Sequence, residues 1–268
     1  MSRHPRAVLA VALLLAAAPA ALSAQDRRSE QAFTLSDRVP ARQWIRVRNV
    51  NGEIHVSSTS GDKVEITGTK TWRRGDPKAV RIESRKSSDG SILVCVYYTE
   101  NATCSENGYS SHDEGRNRNN NNDVAVDFDV RVPKGVKIGV WSVNGEVRVD
   151  GATDEVIAGT VNGGVDATSS GGPVLGSTVN GSVHARMGRL EGNEDLTFSS
   201  VNGSVVAEFG TDVDADIELS TVNGRFQTDW PVTITGRVDP RHLRATLGKG
   251  GRRIKLSTVN GNVELRKR

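Results

Sequence analysis

Three aspartates at alternating positions are the first residues whose spacing suggests chemistry. Asp212, Asp214 and Asp216 would place their carboxylates on one face of a strand, where they could attract a cation. A calcium loop also needs a glycine turn and a distal glutamate, and neither follows. Cation binding and a solvated strand face therefore both remain open.

A second group would come together only if repeated segments stack. Arg148, Asp166 and His184 each lie four residues after a recurring asparagine, so stacking would make them neighbours on an outer face. Such a group could bind or cleave a polysaccharide. Exposed charge pairs usually contribute under about 1 kcal/mol, however, and need no functional purpose.

The remaining polar residues suggest no catalytic, cofactor or metal site. The histidines are dispersed, and His112 lies with Asp113 and Glu114 beside an asparagine-rich run, where solvation is the simpler interpretation. The glycines recur at predicted corners, whereas a phosphate loop needs a strand, a glycine-rich turn and then a helix. We therefore predict a protein that is not an enzyme and has no cofactor.

Cys95 and Cys104 are the two cysteines of the chain, and a disulfide is the first interpretation. Closing so short a loop would stabilise the fold by about 2–3 kcal/mol if the geometry is unstrained. A metal site is the weaker alternative because two thiols supply half of a tetrahedral shell.

The amino terminus has the pattern of a secretory signal peptide. Arg3 and Arg6 precede an apolar run from Ala7 to Ala18, and small residues end at Ala24, where we expect cleavage. The run is too short to span a bilayer, and we expect no transmembrane segment after leader removal. Losing the two arginines lowers the formal charge from +3 to +1 (3 − 2), which gives no electrostatic case for nucleic acid.

A Val-Asn-Gly tripeptide organises the rest of the chain. Its asparagines are Asn51, Asn144, Asn162, Asn180, Asn202, Asn223 and Asn260. Apolar residues alternate on both sides of each copy, so a strand enters and a strand leaves every corner. Most neighbouring copies are 18–22 residues apart, and the last gap of 37 suggests a repeat that lost its signature near Asp239 and Pro240.

Two architectures fit this repeat, a stack of β-hairpins and a parallel β-helix, or β-solenoid. In a hairpin the corner valine would face solvent, whereas in a solenoid it can turn inward and be buried. The fixed spacing favours the all-β solenoid, with 18–22 residues in each turn and asparagine side chains forming a hydrogen-bonded column. We expect the ladder at Asn144, Asn162, Asn180, Asn202, Asn223 and Asn260.

Four regions follow from this pattern. Residues 1–24 are the signal peptide and 25–43 a tether or cap. Residues 44–123 form an irregular N-terminal β region with the disulfide and the asparagine-rich loop, and 124–268 form the solenoid repeats.

An isolated copy at Ile45–Val56, the run from Asp129 to Gly135 and the tandem Val-Asn-Gly repeats together resemble the bacterial putative-adhesin family of β-strand-repeat proteins. The resemblance covers about Trp44 to Leu265. It implies an exported or envelope-associated parallel β-solenoid without established catalytic residues. The asparagine-rich insertion and the cysteine pair depart from the family pattern.

The expected function is adhesive or structural binding in the periplasm, at the cell surface or outside the cell. The expected partner is a glycan, another cell-surface component or a second copy of the chain. Two alternatives remain, a carbohydrate-active β-helix enzyme and an envelope-sensing scaffold that binds a protein.

Overall fold

The computed structural model describes residues 27–111, 122–188, 190, 193–210, 213–232 and 239–268. The predicted leader lies outside the described residues, as do Asp212, the group His112, Asp113 and Glu114, and most of the asparagine-rich run. The described chain is all-β apart from one 3₁₀ turn, Pro77–Ala79, which confirms the predicted fold class at that level. Within the same residues, no helix is long and apolar enough to cross a membrane.

The strands form two ten-stranded sheets and a small hairpin. In spatial order, sheet I contains β1 (Arg28–Asp37), β4 (Val64–Trp72), β9 (Ala125–Val132), β3 (Ile54–Ser58), β11 (Val147–Ala152), β13 (Val165–Ser169), β15 (Val183–Met187), β17 (Val205–Phe209), β22 (Val263–Lys267) and β19 (Phe226–Thr228). Sheet II contains β20 (His242–Leu247), β18 (Ala215–Asn223), β21 (Arg252–Asn260), β16 (Leu196–Ser199), β14 (Val174–Ser177), β12 (Val156–Gly159), β10 (Lys137–Trp141), β2 (Trp44–Arg48), β6 (Ile92–Tyr97) and β5 (Arg81–Lys86). The hairpin pairs β7 (Ala102–Ser105) with β8 (Gly108–Ser111).

Each Val-Asn-Gly corner carries the chain from sheet II to sheet I. The strand before the corner and the strand after it therefore lie in different sheets, as β12 and β13 do on either side of Asn162. Within each sheet the repeat strands pair in parallel and in register, for example Val165 with Val183. The corners are not hairpin turns, and the alternative of stacked hairpins is wrong.

The core lies between the two sheets and is continuous along the molecule. Alternate residues of each strand are buried, with Phe128, Phe198 and Phe209 among the largest. Burying each large apolar side chain contributes about 1.5–3 kcal/mol. The alternation that predicted the strands thus also defines which residues face outward.

The long insertion between the first two corners folds onto the amino-terminal end of the sheets. β2 pairs in parallel with β10, so the isolated first copy joins the stack directly. Beyond it, β4 pairs antiparallel with both β1 and β9, and β5 pairs antiparallel with β6. The segment expected to be a tether or cap thus contains strand β1.

The last copy of the repeat is out of sequence order in the stack. Asn202 bridges to Asn260, and β21 lies between β16 and β18. The sixth copy is displaced to the end, where its second strand, β19, has only three residues, and Phe226 and Thr228 are half-exposed. An end position suits a strand that buries little apolar surface.

The segment before the last copy is not a further parallel repeat. β20 pairs antiparallel with β18 at the sheet edge, and Asp239 accepts a hydrogen bond from the Arg241 amide at 2.9 Å in the turn that precedes it. The expectation of a repeat with a lost signature near Asp239 and Pro240 is therefore wrong for the described residues.

Candidate binding faces and corner ladder

The asparagine side chains form a continuous hydrogen-bonded column at the corner. Asn180 Nδ2 donates to Asn162 Oδ1 at 2.8 Å, and Asn202 Nδ2 donates to Asn180 Oδ1 at 2.8 Å. The same contact links the other members at 2.7–2.8 Å, in the order Asn51, Asn144, Asn162, Asn180, Asn202, Asn260, Asn223. Each amide between the two end members uses one donor and one acceptor in the column, so its second N–H and remaining acceptor capacity face solvent.

A second column of hydroxyl groups lies just inside the first, and the sequence analysis assigned it no role. Thr178 Oγ1 donates to the Gly163 carbonyl at 2.8 Å. Equivalent bonds of 2.7–2.9 Å come from Ser142, Thr160, Ser200, Thr221 and Thr258. All six side chains are buried, so each bond satisfies a glycine carbonyl that the turn removes from the regular ladder. The small polar residue two places before each asparagine was the available signal.

The corner glycines are required by the close approach of neighbouring backbones. A Cβ atom on Gly181 would overlap the carbonyl of Gly163, and one on Gly203 would overlap the carbonyl of Gly181. Each copy of the corner therefore leaves no space for a side chain at this position. The same packing brings the asparagines into register.

Five of the seven corner valines are exposed and the other two, Val50 and Val143, are half-exposed, so the prediction that they turn inward is wrong. Val161, Val179 and Val201 are 38–39% exposed, Val259 is 40% and Val222 is 49% exposed. The hydroxyl residue just before each of these five valines already occupies the inward position, so the alternation of the strand continues to the corner and directs valine to solvent. The result is a column of aliphatic side chains beside the asparagine column.

The outer face of sheet I carries interlocking charges, and we call the outward residues of β13, β15 and β17 the charged face. Arg186 donates to both carboxylate oxygens of Asp166 at 3.0 Å, and His184 Nε2 lies 2.8 Å from Glu208 Oε1. Arg186 also lies 3.3 Å from His184 Nδ1. Both carboxylates are thus engaged by neighbouring cations or rings.

The predicted trio of Arg148, Asp166 and His184 lies side by side on this outer face, because Arg148 is in register with Asp166 and Asp166 with His184. Arg148 pairs chiefly with Glu146 at 3.2 Å, and that hydrogen bond raises the pKa of its guanidinium, with smaller contributions from Asp166 and Asp150. His184 and Asp166 are joined through Arg186 and approach at 3.9 Å. The sequence analysis missed Arg186 and Glu208, which lie six residues after a repeated asparagine.

The central part of the outer face of sheet II has the opposite character, and we call it the neutral face. It consists of the outward residues of three strands and the valines that follow them: Ile157, Gly159, Val161, Leu175, Ser177, Val179, Thr197, Ser199 and Val201. None of the nine is ionisable. Ile157 pairs in register with Leu175, and Gly159 with Ser177, so like residues form columns across the strands.

Trp141 and Arg48 close the amino-terminal end of the neutral face. The Trp141 ring lies over Gly139 and Gly159, where Cβ atoms would meet it at 2.9 Å, and the Arg48 guanidinium lies 3.6 Å from the ring centroid. Burial lowers the pKa of Arg48, and Arg46 adds to the effect. Arg48 donates to the Glu106 carbonyl, in the turn between β7 and β8.

The Cys95–Cys104 disulfide is present and joins that hairpin to β6. The two half-cystines pack with Leu93, Tyr97 and Tyr109 in a small cluster separate from the main core. Arg85 also donates to the Cys104 carbonyl. The disulfide thus ties the hairpin to the outer face of sheet II next to Arg48.

The remaining aspartates of the predicted cation group bind backbone amides. Asp214 accepts from the Lys249 amide at 2.8 Å and Asp216 from the Gly251 amide at 3.2 Å. Both carboxylates therefore hold the turn between β20 and β21. In the described part of the chain, no cluster of three or more His, Cys, Asp or Glu residues could hold a metal ion.

A cleft of about 440 Å³ lies at the same end of sheet II. It is lined by Asp216, Glu218, Arg244, Thr246 and Arg253, among others. Glu218 lies 3.9 Å from Arg244 and 3.7 Å from Lys255, and Asp216 accepts a hydrogen bond from Thr246 at 3.0 Å. No catalytic arrangement is evident in these contacts.

Comparisons with known proteins found distant similarity to solved structures. No protein-family model matches the chain, and no curated protein matches. A crystal structure described as a putative cell adhesion protein from Clostridium sporogenes is 8% identical, covers 91% of this chain and 100% of its own, and has a TM-score of 0.41. A putative adhesin from Bacteroides fragilis is 12% identical, covers 88% and 96%, and has a TM-score of 0.31.

Proposed function

We propose that this chain is an exported, non-catalytic binding protein of the bacterial envelope or cell surface. Its two sheets are opposite walls of one β-solenoid, in which each Val-Asn-Gly corner begins the return path. In-register parallel pairing on both walls supports this architecture, as does the asparagine column that joins consecutive corners. Such a coil displays equivalent side chains at a constant interval, which suits an extended partner.

The observation that carries the proposal is the pairing of the reactive groups with one another. Arg186 holds Asp166 through two hydrogen bonds, and Glu208 engages His184. A general acid or base must reach a substrate proton, and these groups lie on an open sheet face with their partners already in place. The arrangement stabilises a surface and favours binding over catalysis.

Two alternative functions can be tested with the purified chain. A carbohydrate-active enzyme would use the Asp166 and Glu208 carboxylates, and an envelope-sensing scaffold would bind a protein. Incubating the purified chain with soluble polysaccharides and measuring new reducing or unsaturated ends tests the first alternative. New ends that disappear in an Asp166→Asn, Glu208→Gln variant would overturn the non-catalytic proposal.

Location and binding are tested directly in the producing cells. External protease on intact cells should cleave a surface-exposed chain, whereas a periplasmic chain should be cleaved only after the outer barrier is opened. The mature chain should also sediment with the insoluble envelope fraction. A chain that stays in the cytoplasm, or that does not associate with that fraction, would contradict the proposal.

A further inference from the structure

The charged face and the neutral face differ in charge although the same repeat builds both. On the charged face, Asp166, His184, Arg186 and Glu208 all lie within β13, β15 and β17. On the neutral face, the three neighbouring strands of sheet II carry only aliphatic, hydroxyl and glycine residues at the outward positions. Because a solvated face normally carries charge, an uncharged face with exposed aliphatic side chains marks a contact surface.

We propose that the neutral face binds a neutral polysaccharide chain. This inference rests on the proposed function and assigns the binding to one face and one class of ligand. Val161, Val179 and Val201 supply an exposed aliphatic column, which suits the C–H surfaces of sugar rings. Ser177, Ser199 and the free positions of the asparagine amides supply donors and acceptors for hydroxyl groups.

Charge complementarity selects the neutral ligand. An anionic polymer would need cations along its path, but none of the nine residues of the neutral face is ionisable. Three cations at the ends of the face also have partners. Lys137 pairs with Glu155 at 2.9 Å, Lys255 lies 3.7 Å from Glu218, and Arg48 stacks on Trp141.

The columns also match a polymer because they run across the strands. Corresponding groups recur at the strand spacing of about 4.8 Å, as the parallel bridges between successive asparagines require. A chain lying along the valine and asparagine columns would meet an equivalent pair of groups at every repeat. Weak contacts repeated in this way add along the length of the ligand.

The test uses Val179→Asp, with Val206→Asp as the matched control. Val179 lies on the neutral face and is 38% exposed, and Val206 is a half-exposed residue of the charged face. Retention is measured on microcrystalline cellulose, chitin and immobilised dextran, with alginate and heparin as anionic probes. Circular dichroism melting curves establish that both variants fold.

We expect the wild-type chain and Val206→Asp to be retained on at least one neutral polymer, with affinity for Val179→Asp reduced about tenfold or more by the buried, unpaired carboxylate. Val179→Thr, which adds no charge, should retain most of the binding. Retention on anionic polymers alone, on none of the probes, or equally by Val179→Asp and Val206→Asp would overturn the inference.

A second measurement separates this inference from the proposed function. Wild-type chain is bound to envelope fractions of the producing cells after periodate treatment, which destroys glycans, or after protease treatment, which removes proteins. Loss of binding after periodate alone is expected. Loss after protease alone would identify a protein partner and overturn the inference while leaving the proposed function intact, and no binding to untreated envelope would contradict both.

Discussion

Asn180 lies in the middle of the asparagine column and takes part in two of its hydrogen bonds, one to Asn162 and one from Asn202. We expect Asn180→Val to lower the free energy of unfolding by about 1–2 kcal/mol, since each net hydrogen bond contributes about 0.5–1.5 kcal/mol. For a chain of this size, thermal melting should shift down by about 2–8 °C.

Asn223 provides the control at the end of the same column. Its side chain donates to Asn260 at 2.8 Å and is the last link, so Asn223→Val removes one bond and should cost about half as much. Equal melting temperatures for Asn180→Val and the wild-type chain would show that the column does not stabilise the fold.

Thr178 contributes from inside the same corner. Thr178→Val keeps the shape of the side chain but removes the 2.8 Å hydrogen bond to the Gly163 carbonyl at a buried position. We expect a loss of about 1–3 kcal/mol in urea unfolding, because a buried carbonyl loses its partner. Thr197→Val, at an exposed position of β16, should change stability little, and a similar loss there would contradict this role.

The sequence predicted some corner residues and not others for a physical reason. Asparagine and glycine were identified because their types recur at fixed spacing. The predicted inward direction of the corner valine was wrong, because it assumed that the in–out alternation of the strand breaks before the corner. The buried hydroxyl of Thr160 or Thr178 instead occupies the inward site, so Val161 or Val179 points outward. The hydroxyl side chains point inward because they donate to glycine carbonyls, and these acceptors are seen only in the folded structure.

At the scale of the element, Gly181 determines how closely two corners can stack. An added Cβ would overlap the Gly163 carbonyl, so Gly181→Ala must push neighbouring strands apart. We expect a loss of more than about 2 kcal/mol, in the range of substitutions that overpack a rigid site. Chemical denaturation measures it.

The control is Gly164, which follows the corner glycine of the preceding copy. A Cβ there would meet the Ser182 carbonyl at 3.5 Å, an ordinary contact, so Gly164→Ala should change stability by less than about 1 kcal/mol. If both variants unfold at the same denaturant concentration, close stacking of the corners is not what requires glycine.

Asp123 links the segment before β9 to the turn after β4 and gives the fold an acid-sensitive contact. Its carboxylate accepts from the amides of Gly75, Arg74 and Arg73, and these bonds lower its pKa below the ordinary 3.8. A lowered carboxyl pKa contributes stability above about pH 4, and the contribution disappears as pH falls through the folded-state pKa.

We therefore expect Asp123→Asn to flatten the dependence of melting temperature on pH between about 5 and 2.5, with the wild-type chain losing more stability on acidification. Melting curves recorded across this interval provide the measurement. An unchanged acid slope in the variant would show that the Asp123 contacts do not stabilise the folded state.

Strand identity followed from the sequence more readily than strand order. Alternating apolar residues located β12 through β17, and the presence of only two cysteines in the sequence predicted the Cys95–Cys104 pair. The position of β21 between β16 and β18 depends on which copy buries more apolar surface, and Val263 and Leu265 are fully buried while Phe226 and Thr228 are not. The order of the repeats along the sequence does not show which copy buries more apolar surface.

At the scale of the whole molecule, both ends of the stack limit pairing with other chains. β5 presents Arg81, Glu83 and Arg85 along one edge, β1 contains a register shift between Gln31 and Phe33, and β19 is only three residues long. Charges, bulges and short strands are the usual protections of a sheet edge.

The central claim is an in-register stack with valine outside and the last copy between the fifth and sixth. Dibromobimane, a short reagent that becomes fluorescent when it bridges two thiols, tests it on two double-cysteine variants. Val201→Cys with Val259→Cys should be bridged rapidly, because these corners are adjacent at about 4.8 Å. Val201→Cys with Val222→Cys should not be bridged, because another strand separates them. Bridging of the second pair in preference to the first, or protection of all these thiols from the reagent, would contradict the stack described here.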